Sequence, residues 1–244
     1  LAKAPRAQPQ VYDRGLSGMD CNTFSQYLDE YGELWHRGLK KQANSVMKEL
    51  VDRLEKLPTD EERDALIIPF CQEFFARKAQ GESPLGHHGR LPYGLEQLVE
   101  KTVSRQCDRQ GMPWLRWYFE LFRGNPTFSE QALARLRQAL ACKDVDQESI
   151  NLYFDELLKW LWFGRHHFPE GCIYPTEEYH DLINEGEGLI RKFSLDDQRI
   201  ASFQHHKRLY DCWDEWKARD KEGSFEDLCN EMGVPFRTTG TYRY

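Results

Sequence analysis

Residues 150–163 read INLYFDELLKWLWF, and ten of these fourteen residues are apolar. If the stretch is helical, apolar side chains recur at spacings of four, three and four residues, which is the period of a buried helix face. That stripe consists of Ile150, Phe154, Leu157 and Leu161. Further aromatic side chains, including Trp162 and Phe163, widen the stripe on both flanks, so we expect only Asp155, Glu156 and Lys159 to meet water. The pattern predicts a helix buried at the centre of an all-helical assembly.

Both ends of this central helix are marked in the sequence. Asp146 is a suitable N-cap, because its carboxylate can accept a hydrogen bond from a free amide of the first turn. Gly164 is expected to end the helix in a left-handed conformation. These residues bound a central helix at 147–163, which is too short to cross a bilayer because a membrane span needs about 20 residues.

Composition limits the class of protein. The chain has 244 residues, with 33 basic and 40 acidic side chains and a net charge of −7. This charge creates no global positive field, which argues against a nucleic-acid partner. The seven cysteines never form a CxxC pair, which favours reduced thiols over a disulfide framework or a zinc knuckle. No run is long and apolar enough for a transmembrane helix or a signal peptide, so we expect a cytoplasmic protein without a membrane partner.

Helical periodicity continues along most of the chain, and no alternating run typical of a strand is present. We expect an all-α fold of about ten helices, packed as an irregular bundle or a short helical-hairpin array around the buried central helix at 147–163. Residues 1–18 are predicted to be a flexible tail, a leader or an expression remnant, and residues 19–244 a single domain. Pro69 is expected to kink or split its helix. The predicted caps of other helices are Thr23, Thr59, Ser129, Thr176 and Ser224.

The segment after the central helix is the first candidate for a binding loop. Its candidate residues are Arg165, His166, His167, Glu170 and Cys172. Arg165 can bind an anion or an acidic partner loop, or it can complement the carbonyl groups at the helix end. Cys172 beside Glu170 and two histidines suggests a cysteine nucleophile, although a reactive thiolate needs a positive or dipolar environment.

Histidine pairs are the most unusual local feature, and they occur at 87–88, 166–167 and 205–206. If the protein holds a transition metal or transfers protons, His87, His88 and His180 are predicted to converge with the loop at 165–172. No spacing matches a standard motif such as HExxH or CxxC, so the sequence assigns no metal ligand, no cofactor and no catalytic residue. The alternative is that these histidines lie on the surface or pack within loops.

The last twenty residues, FEDLCNEMGVPFRTTGTYRY at 225–244, resemble a helix-turn-helix sequence. The resemblance is carried by Leu228, Cys229, Gly233 and Val234, which occupy the positions of the first-helix core, the turn glycine and the apolar residue after it. It implies a DNA-associated regulator. The pattern is broken at Thr239, where an aliphatic residue is expected, and at Gly240 inside the would-be recognition helix. The alternative is a short capping helix followed by an aromatic tail.

Three functions therefore stay open. We expect a cytoplasmic protein that acts by binding another protein, because the acidic, aromatic-rich helical body carries no recognisable catalytic motif. Its charge suits a basic partner, such as a nuclease toxin neutralised in the manner of an immunity protein, or a regulator's helix. The second function is a His/Cys-based enzyme or metal protein using the 165–172 loop. The third is DNA-associated regulation through residues 225–244.

Overall fold

The computed structural model describes residues 19–82 and 91–236, and every regular element in these two ranges is an α-helix. This confirms the all-α prediction and the expected number of helices. In chain order the helices are α1 (Cys21–His36), α2 (Lys40–Glu55), α3 (Asp60–Ala79), α4 (Tyr93–Gln110), α5 (Trp114–Phe122), α6 (Ser129–Ala141), α7 (Gln147–Arg165), α8 (Thr176–Lys192), α9 (Asp197–Ala218) and α10 (Phe225–Glu231).

The chain divides into two compact units. Unit 1 comprises Leu1–Gln110 and Glu120–Pro126, and unit 2 comprises Gly111–Phe119 and Thr127–Tyr244. The expectation of a single domain at 19–244 stays a prediction. The predicted tail at 1–18 lies outside the described residues.

Unit 1 is built on α1 to α4, with α1 packed on α2 and α3, and α4 packed on α2 and α3. Its buried apolar side chains recur at helical spacing on each helix, as an amphipathic pattern requires. They include Phe24, Tyr27, Leu50, Leu54, Ile67, Cys71, Leu95, Val99 and Val103. Asp64 on α3 is buried and accepts a hydrogen bond of 2.7 Å from the Thr102 hydroxyl and further hydrogen bonds from the Arg105 guanidinium of α4. A buried carboxylate needs such partners, because its desolvation is otherwise costly.

Pro69 lies inside α3, which continues through it from Asp60 to Ala79, so the expected split does not occur. Proline removes only one amide donor, which would have bonded the carbonyl four residues earlier. That carbonyl belongs to Ala65, and the Cys21 thiol of α1 lies 3.8 Å from it as a replacement donor. A neighbouring helix therefore satisfies the group that the proline leaves unpaired.

Unit 2 is organised around α7, which contacts α6, α8 and α9. Leu157 and Leu161 are fully buried, and the Phe154 ring packs against Phe203 of α9 at 5.8 Å between centroids. Asp146 caps α7 as predicted, because its carboxylate accepts a hydrogen bond of 2.8 Å from the Ser149 amide. The stripe recognised in the sequence is therefore the core face of this unit.

Gly164 does not end α7, and that prediction is wrong. The residue is buried inside the helix, which runs on to Arg165. A Cβ added at Gly164 would lie within 3.0 Å of the Tyr210 hydroxyl and of the Tyr174 ring. The glycine is therefore required for close packing rather than for a left-handed turn.

Three of the predicted caps are not the residues that precede their helices. Asp20, not Thr23, caps α1, since its carboxylate accepts from the Thr23 amide at 2.7 Å and a negative charge is favourable at a helix N-terminus. Ser129 and Thr176 are instead the first residues of α6 and α8, and the N-cap residues there are Phe128 and Pro175. The caps predicted at Thr59 and Ser224 are confirmed by hydrogen bonds from amides three residues later.

Candidate functional site

The loop after α7 closes the C-terminal end of that helix. The last carbonyls of an α-helix have no partner within the helix and must be satisfied by other groups. Gly164 O accepts from the Ile173 amide at 2.8 Å and from the Cys172 thiol at 3.3 Å, and Arg165 O accepts from the Phe168 amide at 2.9 Å. These contacts fold residues 166–175 back onto the helix end.

His166 belongs to the same closure. Its Nδ1 lies 2.6 Å from the Phe163 carbonyl oxygen, and because a carbonyl only accepts, Nδ1 carries the proton. The imidazole ring stacks on Trp162 with a centroid distance of 5.2 Å and an interplanar angle of 13°, and it lies 4.1 Å from the His167 ring. The histidine pair at 166–167 therefore lies within an aromatic cluster.

Cys172 is the second candidate that acts at the helix end. Its thiol proton is donated in a hydrogen bond to Gly164 O. Burial, opposed in part by a backbone hydrogen bond from Tyr174 and by Lys217, raises the pKa of this thiol. The surroundings thus favour the neutral thiol over the thiolate that nucleophilic chemistry requires.

Arg165 reaches toward α9. Its Nε donates a hydrogen bond of 2.7 Å to Nδ1 of His206, so the imidazole is the acceptor at that nitrogen. Burial, and then the positive charges of Arg165 and of the neighbouring His205, lower the pKa of His206 to about 3. The Arg165 guanidinium is therefore a cation hydrogen-bonded to a neutral imidazole ring. Burial lowers the pKa of Arg165.

His180 is hydrogen-bonded to α9. Its Nε2 lies 2.7 Å from a carboxylate oxygen of Asp214, which also accepts hydrogen bonds from the Tyr179 hydroxyl and pairs with Lys217 at 2.8 Å. These four side chains tie α8 to α9. Sequence reasoning missed Asp214, because it lies 34 residues from His180 and no spacing links them.

The predicted convergence of the histidines is decided only in part. His87 and His88 lie outside the described residues. Within 19–82 and 91–236, no group of three or more His, Cys, Asp and Glu side chains is arranged to hold a metal ion. The metal alternative that includes His87 and His88 stays a prediction.

The closed end of α7 exposes an aromatic surface to solvent. We define the α7-end surface as Trp162, Phe163, His166, Ile173 and Tyr174. Trp162 is 52% exposed, Phe163 46% and Ile173 40%, and the only other large hydrophobic residue exposed to this degree among the described residues is Met232. The Phe163 ring lies 6.1 Å from the Tyr174 ring, while Ile173 is fixed by its hydrogen bond to Gly164.

The exposure of Trp162 and Phe163 corrects the expectation that only Asp155, Glu156 and Lys159 of α7 would meet water. Successive residues of a helix point about 100° apart, so one side of the last turn can be covered while the other is open. Leu161 and Gly164 face α9, where the Tyr210 hydroxyl donates to the Leu161 carbonyl at 2.9 Å. Trp162 and Phe163 lie on the uncovered side.

The predicted helix-turn-helix is described only in its first half. Leu228 and Cys229 are buried on α10, Gly233 has φ of 66°, and Val234 is buried after it. These positions agree with the first-helix core, the turn glycine and the following apolar residue. The would-be recognition helix, including Thr239 and Gly240, lies outside the described residues, so DNA binding stays a prediction.

Unit 1 contains a separate cleft of about 190 Å³. It is lined by Glu55, Asp60, Arg63, Leu98, Lys101, Thr102 and Arg105. Asp60 pairs with Arg63 and Arg105, and these charges therefore largely neutralise one another. The sequence did not predict this cleft, because its lining comes from α2, α3 and α4.

No family model, curated protein or solved structure matches this chain. None of the helices in the described ranges is both long and apolar enough to span a membrane. The candidate site consequently depends on the geometry of the α7-end surface alone.

Proposed function

We propose that the protein acts by binding another protein through the α7-end surface. The observation that carries this proposal is the clustering of Trp162, Phe163 and Ile173, which expose large apolar side chains at one helix end. Single exposed hydrophobic residues are normal, but a contiguous apolar patch with a polar rim is typical of an interaction site. Tryptophan in particular supplies large binding energy when a partner desolvates it.

Charge around the surface supports a basic partner. Glu170, Glu177 and Glu178 are exposed, and none pairs with a basic residue in the part of the chain that the structure describes. The charge of Glu178 contributes, after burial, to the raised pKa of Tyr174, which places that carboxylate beside the aromatic patch. Glu177 and Glu178 also suit the N-terminal turn of α8, so their positions are compatible with both roles.

The partner we propose has an apolar anchor surrounded by lysine or arginine side chains. A basic nuclease toxin that this chain neutralises in immunity-protein fashion is the instance that its acidic character favours. Complementary charge would speed association and select among partners, while the aromatic anchor would supply most of the affinity.

Paired variants test the proposal. Trp162→Ala should weaken binding at least about 30-fold, corresponding to roughly 2 kcal/mol for a tryptophan hot spot. Met232→Ala is the matched control, because Met232 is exposed to a similar degree outside the surface. Both variants and the unaltered chain should be used to capture partners from the native cells, and each captured protein should then be purified and titrated against all three.

The charge arm uses Glu170→Lys, Glu177→Lys and Glu178→Lys in combination. A basic partner should then associate at least about tenfold more slowly at low salt, with little change at high salt. Equal binding by the Trp162→Ala and Met232→Ala variants would exclude this surface as the interface. An acidic partner, or a self-association that Trp162→Ala abolishes in sedimentation velocity, would exclude the proposed occupant.

A further inference from the structure

Arg165 has no carboxylate partner among the described residues. Its hydrogen bond goes to His206, a neutral ring. The contrast is with Arg116, Arg199 and Arg219, each of which pairs with aspartate or glutamate. A half-buried guanidinium has lost part of its hydration, so an anion that reaches it gains more than it would at a fully exposed site.

His206 also determines which edge of the guanidinium stays available. Nε is committed to Nδ1 of His206, and no hydrogen bond joins either Nη group to a described residue. The two Nη groups form a planar fork that matches the two oxygens of a carboxylate. His206 therefore acts as a positioning residue that pre-orients the fork.

The backbone position of Arg165 is close to the proposed interface. Arg165 follows Trp162 by three residues on α7, and side chains at this spacing are neighbours with Cβ atoms about 5–6 Å apart. A ligand whose apolar group covers Trp162 thus brings an attached carboxylate close to Arg165.

We propose that the partner inserts its C-terminus here, with an apolar last residue on Trp162 and its terminal carboxylate on the Arg165 fork. This inference rests on the proposed function and specifies its partner. A terminal residue carries an apolar side chain and a carboxylate on the same Cα, so ordering one residue satisfies both groups. An internal glutamate beside an apolar residue would require two ordered side chains, at a higher entropic cost. Basic residues just before the terminus would lie near Glu170, Glu177 and Glu178.

The test uses an array of pentapeptides that begin with two lysines and end in three varied residues, synthesised as free acids and as C-terminal amides. The full chain is the probe. Free acids ending in Phe, Leu or Ile should bind at least about fivefold more tightly than the corresponding amides. In Arg165→Gln the difference should disappear, and in Arg165→Lys it should be largely lost because the fork is gone. Arg191→Gln, at the far end of α8, should keep it.

Free-acid and amide peptides can be compared on the unaltered chain alone, so this comparison does not require any variant to fold. If acids and amides bind equally, and Trp162→Ala weakens both, the carboxylate inference is wrong while the interface proposal holds. If amide peptides with an internal glutamate bind as well as free acids, the terminal carboxylate is not the recognised group. If neither form binds at millimolar concentration, the inference fails. If Trp162→Ala binds every peptide as well as the unaltered chain, the interface proposal itself fails.

Discussion

Two glycines on α8 provide a direct test of how tightly unit 2 is packed. Gly186 is buried, and a Cβ added there would lie within 3.0 Å of three ring atoms of Phe203. Gly188, two residues further along the same helix, has nothing within 4 Å of the corresponding position. Gly186→Ala and Gly188→Ala therefore make the same chemical change in the same helix, and only one of them meets an obstacle.

The expected effects have opposite signs. Alanine in place of glycine inside a helix stabilises it by about 0.5–1 kcal/mol, because the unfolded chain loses conformational freedom. Gly188→Ala should show this gain. At Gly186 the same gain is opposed by overpacking, which costs about 1–3 kcal/mol in a close-packed core. Because the helix-propensity gain is common to both variants, the difference between their unfolding free energies isolates the cost of displacing the Phe203 ring.

Urea unfolding followed by circular dichroism at 222 nm measures both variants against the unaltered chain. A combined Gly186→Ala and Phe203→Leu variant should recover at least about 1 kcal/mol relative to the sum of the single changes, since residues in contact are not additive. If Gly186→Ala stabilised the protein as much as Gly188→Ala does, the contact between α8 and α9 described here would be wrong.

Three further changes have defined outcomes. His206 is neutral in the fold because its pKa is lowered to about 3, whereas an unfolded histidine binds a proton below about pH 6.5. The free energy of unfolding should therefore decrease as the pH decreases, by about 2 kcal/mol between pH 8 and pH 5. Urea titrations at both pH values should show this component lost in His206→Gln, and an unchanged pH dependence would contradict it. Asp64→Asn removes the buried carboxylate from the half-buried Arg105, which keeps only the more exposed Asp60, and should cost about 2–3 kcal/mol by chemical denaturation. The exposed control Glu215→Gln should cost at most about 0.5 kcal/mol, and equal costs would show that burial does not strengthen the pair. Gly164→Ala should lower the melting temperature by several degrees through overpacking. The control Gly171→Ala, whose added Cβ meets nothing within 4 Å, should change the melting temperature by at most about 1 °C. Similar melting temperatures for both variants would contradict the close packing at Gly164.

The parts of the fold that depend on local pattern could be predicted from the sequence. The stripe through Leu157 and Leu161 identified the core face of α7, and Asp146 identified its start, because burial and capping each act within a few residues. The caps at Thr59 and Ser224 follow the same logic. The cap predicted at Thr23 was wrong for a local reason as well, since the nearby Asp20 carboxylate is the better acceptor at the same helix end.

Features that depend on which helix lies beside which could not be predicted. The role of Gly164 depends on the Tyr210 hydroxyl of α9, which lies 46 positions away in the chain and fills the space that a side chain would need. His180 finds Asp214 across two helices in the same way. The exposure of Trp162 and Phe163 follows from which side of the last turn of α7 is covered, and an apolar side chain gives no local sign of that.

The closure of α7 is the physical reason for proposing binding at this surface. A helix end leaves carbonyls to be satisfied, and the polar groups that the sequence offered for catalysis are used for that purpose: the His166 ring serves Phe163 O and the Cys172 thiol serves Gly164 O. Without the Cys172 thiol, Gly164 O would keep only the hydrogen bond from the Ile173 amide. The loop leaves apolar surface exposed at Trp162, Phe163 and Ile173. Our proposals give this surface the contact area and give the Arg165 fork the carboxylate.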